Sequence, residues 1–217
     1  MNPITNSGRR RADETVGPVK TLHGEYRMAC MSGALTVVAA HTSTAGHLFV
    51  MRVPTSETKK AVIRYVNCQM STVTALGTAQ AMGLALHVHR GATATYTAGT
   101  AIDMFTVTNS QKVRADQATT MFVVDNVRIA TTTGITVPAT QVIDAHPISQ
   151  KMFAPATTLG AVSNLTLFDA RDDGTSTVRS GLVLAAQEVL VIKNVILMGA
   201  TGVFNLTVEV EWDEVTV

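Results

Sequence analysis

Residues Val203 to Trp212 alternate without a break, and no other stretch constrains the fold as much. Phe204, Leu206, Val208, Val210 and Trp212 fall on one side, Asn205, Thr207, Glu209 and Glu211 on the other. A period of two is the pattern of a strand with one face buried and one face wet. Upstream, Glu188 to Met198 (EVLVIKNVILM) is apolar on nearly both faces, as in a strand covered on both sides. Gly199-Ala200-Thr201-Gly202 joins the two runs and has the composition of a hairpin turn. The expectation is one long antiparallel ribbon from Gly181 to Val217, with the single tryptophan at its far end.

Short strand candidates precede it: Ala34–Ala40, His47–Val53, Ala61–Met70, Met82–Arg90, Met121–Ala130 and Ser163–Phe168. Pro54 closes the second, because proline has no donor for the ladder. Ser71–Ala81 reads as a loop or short helix, Thr106–Ala115 as one or two helical turns, and Val142–Phe153 is broken by Pro147. Ala/Thr/Gly-rich Gly91–Asp103, around Tyr96, and Thr131–Thr140 read as loops. About eight short strands separated by turn signals predict an all-β fold, an antiparallel, jelly-roll-like β-sandwich. Composition agrees: charged residues are 15% of the 217, against an ordinary ~25%, and about thirty threonines supply the polar surface. A charge-poor surface suits a protein partly covered by neighbours.

Residues before Thr21 are polar and aperiodic, with Pro3, Gly8, Gly17 and Pro18. The expected organisation is an extended, flexible N-terminal arm over residues 1–30 and a β-sandwich domain over 31–217. Asp13 and Glu14 offset Arg9-Arg10-Arg11, so the arm reads as solvated or docked on a neighbouring subunit. A net charge of +1 makes nucleic acid an unlikely partner, and the sequence has neither a secretory signal nor a membrane-length apolar run. Assembly in the cytoplasm is expected.

Few residues suggest chemistry. His87-Val88-His89 places two imidazoles on one side of a strand, the spacing of a zinc or copper site. A third ligand would come from His23, His41, His47 or His146; the plainer reading is two histidines on the wet face of a strand. Asp169, Asp172 and Asp173 before Gly174 resemble part of a calcium loop but lack its ligand spacing and closing glutamate. Lys59, Lys60 and Arg64 read as a solvated turn rather than a basic patch. Cys30 and Cys68 read as buried thiols. No nucleophile elbow, Walker loop or dinucleotide fingerprint is present. The expectation is a protein with no catalytic, cofactor-binding or metal residues and no cofactor.

Four stretches together carry a resemblance. MRVPTSETKKAVIRYVNCQM (Met51–Met70), GATATYTAGTAID (Gly91–Asp103), VRIATTTGIT (Val127–Thr136) and EVLVIKNVILMGATGVFNLTVEVEWDEV (Glu188–Val215) are similar to segments of tailed-bacteriophage virion structural proteins. The arm before Leu22 has no counterpart in that pattern. The resemblance implies a non-enzymatic capsid decoration or cement protein with a β-sandwich body on the capsid surface. Its partners would be the major capsid protein and copies of itself, a trimer being one arrangement, with tail, neck or fibre subunits and a carbohydrate- or receptor-binding module as the alternatives.

Overall fold

The computed structural model describes residues 21–36, 46–76, 81–104, 113, 118–132, 134–138, 142–154, 159–170, 181–196 and 201–216. In chain order the strands are β1 (Thr21–Met31), β2 (Leu35–Thr36), β3 (His47–Arg52), β4 (Lys60–Thr74), β5 (Met82–Arg90), β6 (Thr100–Ala101) and β7 (Val127–Ile129). They continue as β8 (Val142–Ile143), β9 (Ser149–Phe153), β10 (Val162–Asp169), β11 (Leu182–Leu184), β12 (Val189–Asn194) and β13 (Val203–Thr216).

Among the described residues these strands form two antiparallel sheets packed as a sandwich, the fold class read from the sequence. Sheet A, of six strands, runs β1-β13-β4-β10, with β11 also on β4 and β2 also on β13. Sheet B, of seven, runs β6-β7-β3-β12-β5-β8, with β9 also on β5. The chain shuttles between them: β3 is in B, β4 in A, β5 in B, and later β11 in A, β12 in B, β13 in A.

That shuttling overturns the expected terminal ribbon. β12 lies between β3 and β5 in one sheet, whereas β13 lies between β1 and β4 in the other. The two strands therefore do not form the expected hairpin. The physical reason is the mismatch of the two patterns. Leu190 and Ile192 on one face of β12, and Val189 and Val191 on the other, are all buried, so this strand needs cover on both sides. β13 buries Phe204, Leu206, Val208, Val210 and Trp212 while Asn205, Thr207, Glu209 and Glu211 stay partly exposed. Such strands suit sheets with different surroundings.

The boundary expected at residue 30 also moves. β1 pairs with β13 from Thr21↔Thr216 to Met31↔Thr207, so residues 21–30 belong to the sandwich. Tyr26 and Met28 are buried, while Glu25 and Arg27 lie on the outer side, where Arg27 donates to Glu209. The rest of the expected arm, with Arg9, Arg10 and Arg11, lies outside the described residues. Two smaller corrections concern strand extent: Ser71–Thr74 continues β4, and only Val127–Ile129 of the expected Met121–Ala130 strand is in a ladder. The possible helical turn over Thr106–Ala115 falls outside the described residues apart from Val113.

At one end of the core Trp212 stacks on Tyr26 (ring centroids 5.5 Å) and meets Phe122 edge-on at 5.7 Å. Beside it the carboxylate of Glu214, fully buried, accepts from the Met121 amide at 2.9 and 3.1 Å and from the Thr120 hydroxyl. Lys59 lies 3.7 Å from the same carboxylate, and Arg64 donates to Asp213 at 2.7 Å. Lys59 and Arg64, expected in a solvated turn, are instead matched to carboxylates of β13, with Arg64 only 15% exposed. Both cysteines are free, but only Cys68 is buried as expected, Cys30 being partly exposed; both face Val208 of the strand between them, so their Cα atoms are about 9–10 Å apart, beyond disulfide reach. Burial raises the Cys30 thiol pKa to about 12 and that of Cys68 further, so neither is a ready nucleophile.

Candidate functional site

β5 is buried on both faces, and this corrects the reading of His87 and His89 as residues of a wet face. Period-two geometry and register place His87, His89, Val189, Val191, Lys193, Val50, Arg52 and Arg128 on one side of sheet B. Leu84, Leu86, Val88, Leu190, Ile192, Phe49 and Met51 are on the other. His47 joins the histidine side through a β-bulge. The ladder steps from Ile192↔Phe49 to Lys193↔His47, leaving Leu48 as the extra residue. Without that insertion His47 would share the face of Phe49, because a one-residue slip reverses every side chain.

A cap closes this face. Arg52 donates through one Nη to the carbonyls of Ala92 and Ala94, both at 3.2 Å. Arg128 donates to Ala98 O at 2.9 Å and Gly99 O at 3.4 Å. Two arginines thus hold the loop of residues 91–99 by its backbone. Tyr96, 1% exposed, plugs the loop into the sheet: a hydrogen bond of 2.9 Å joins its hydroxyl to His89 Nδ1, and the rings stack at 6.3 Å. Gly99, at φ 65°, allows the sharp turn; a Cβ there would stand 2.5 Å from the Ile129 carbonyl oxygen.

Beneath the cap His47 and His89 meet edge-on, ring centroids 5.2 Å apart, and both are buried to within 1%. His87 is 4% exposed. Among the described residues neither ring nitrogen of His47 has a hydrogen-bond partner. Burial, then His89, Lys193 and His87, depress the pKa of His47 to about 3. Burial followed by Lys193 lowers that of His87, with Asp144 opposing, and burial lowers that of Lys193. The rings of His47 and His87 are therefore neutral near pH 7.

Of the third ligands considered, His47 is the one brought to His89. His146 is exposed in the loop after β8, His23 belongs to β1 of the other sheet, and His41 lies outside the described residues. Among the described residues no group of three histidine, cysteine or acidic side chains is placed to hold a metal ion. Asp172, Asp173 and Gly174 of the acidic turn also lie outside them, and Asp169 ends β10. Sequence reasoning missed Glu214, which is buried past Trp212 where the alternation stops, and the two arginines that hold the loop. Tyr96→Phe is expected to cost about 1–2 kcal/mol, the loss of one buried hydrogen bond, with the ring volume kept. Urea denaturation followed by circular dichroism measures it, and an unchanged midpoint would show that the hydroxyl does not hold the loop. No protein-family model matches the chain, and no characterised protein matches it.

Proposed function

We propose that this chain is a non-enzymatic structural protein of a tailed-bacteriophage virion, a capsid decoration or cement subunit that stabilises the head by bridging shell subunits and copies of itself. What supports the reading, besides the resemblance, is a set of exposed apolar side chains on the outlying strands of the two sheets. β10 ends one sheet, β9 lies at the margin of the other, and the two are neighbours. Along them Met152, Leu159 and Val162 are 58%, 62% and 63% exposed, with Val73 alongside on the outer face of β4. Exposed apolar side chains at the margins of both sheets offer surfaces that other subunits could cover. Each copy seated on a shell would add interface and favour the assembled state by mass action.

The aromatic side chains weigh against a carbohydrate-binding module, which needs exposed platforms. Trp212, Tyr26 and Tyr96 are each 1% exposed and Tyr65 is 9% exposed. Quantitative mass spectrometry of purified particles tests the proposal through copy number. A shell protein is expected in the hundreds of copies. A count of about six or twelve, as a cyclic ring gives, would move the chain to the tail or neck. Its absence from particles would overturn the virion reading.

A further inference from the structure

We propose that His47, His87 and His89 form an acid-operated release for the loop of residues 91–99, neutral and closed near pH 7 and opened when the cluster takes up protons. This inference does not depend on the virion role. It rests on what surrounds the three rings. From β3 comes Arg52, from β12 Lys193 and from β7 Arg128, all on the histidine side of sheet B. The loop itself contributes Tyr96, which faces His89. Carboxylates stand at the margins. Asp125, 55% exposed, pairs with Arg128, while Asp144 and Glu188 both pair with Arg90. Asp144 is the one that favours a charge on His87.

A proton added to this cluster joins a face that already carries Lys193, Arg52 and Arg128, of which Lys193 acts on both His47 and His87. It also turns His47 into a double donor in a place where, among the described residues, neither nitrogen has an acceptor. Moving the loop away admits water to the rings and relieves both penalties. The arginine contacts to Ala92, Ala94, Ala98 and Gly99 are to carbonyls and do not themselves titrate, so the histidines set the pH dependence.

The sign follows from linkage. The folded pKa of His47 lies below that of an exposed histidine, so its contribution to closure is complete above about pH 6.5 and is lost as the pH falls toward about 3. Within that window the open population rises about tenfold for each pH unit per depressed histidine. Hydrogen exchange of the full chain between pH 8 and 4, expressed as protection factors, reads this directly. Protection of the 91–99 amides is expected to fall about tenfold or more per pH unit below about 6, before that of β13 amides in sheet A. In His47→Gln the slope is expected to be shallower. Proton NMR of the wild-type rings supplies a readout that needs no variant: His47 should titrate well below the ordinary range. Loop protection that does not change with pH, an unaltered slope in His47→Gln, loop and β13 amides losing protection together, or a His47 ring that titrates at about 6.5 would each overturn the proposal.

Discussion

Glu214→Ala is expected to lower the free energy of unfolding by about 3–5 kcal/mol. The carboxylate is fully buried and serves several donors at once: the Met121 amide, the Thr120 hydroxyl, the Trp212 indole N–H at 3.4 Å and the Lys59 ammonium. Removing it leaves donors without an acceptor in a place water does not reach, since Thr120 is 2% and Met121 5% exposed. Each such group costs about 1–3 kcal/mol, whereas Lys59, 23% exposed, can turn to solvent. Glu214→Gln keeps an acceptor oxygen and should cost less, about 1–2 kcal/mol. Urea unfolding of the two variants gives both values. A Glu214→Ala variant within about 0.5 kcal/mol of the parent would show that the residue 118–122 segment is held by something else.

The pH behaviour of Glu214 opposes that of the histidines. Burial raises its folded pKa, partly countered by the Thr120, Met121 and Trp212 hydrogen bonds and by Lys59. A carboxylate raised in the folded state costs stability as the pH climbs through the interval between its unfolded and folded values, and returns it on acidification. Mild acid thus eases the strain at Glu214 while it charges the cluster under the 91–99 loop. This is why the loop should open before sheet A gives way.

Trp212→Ala is the second large effect, a loss of about 3–5 kcal/mol. The indole is the largest fully buried side chain of the protein, held between the Tyr26 face and the Phe122 edge. β1 and β13 backbones paired at Tyr26↔Trp212 cannot close over a void of that size. Trp212→Phe retains part of the stack and should lose roughly half as much. Circular dichroism in urea is the suitable probe, because the substitution removes the only tryptophan. The two sites are coupled through the indole N–H, so Trp212→Ala with Glu214→Ala should cost less than the sum of the single changes, by about 0.5–3 kcal/mol. Strict additivity would mean that the hydrogen bond contributes nothing.

Much of the strand content was legible because burial with a period of two is a local property. Phe204 to Trp212 shows it in the letters alone and is part of a strand, whereas Met82 to Arg90 alternates in its letters and is a strand but is buried on both faces. β1 carried the same signal in Tyr26 and Met28 against Glu25 and Arg27, but over so few residues that it merged with the polar arm before it. Glu214 was not legible, since a lone carboxylate after a tryptophan is ordinarily at the surface. The paired spacing of His87 and His89 was visible. Their burial was not, because it depends on a loop that, apart from Tyr96, is all alanine, threonine and glycine.

The amino-acid sequence by itself determined that the chain is all-β, which runs alternate, and which run needs cover on two sides. These follow from side-chain geometry along a single strand. Tertiary structure alone decided partnership. It sent β12 and β13 into different sheets, drew β1 into the body, and used one extra residue at Leu48 to turn His47 toward His89. Pairing between strands depends on ladders formed between residues far apart in the chain, and each choice of partner and register is settled by the burial of all the others at once. That information belongs to no single stretch of the chain.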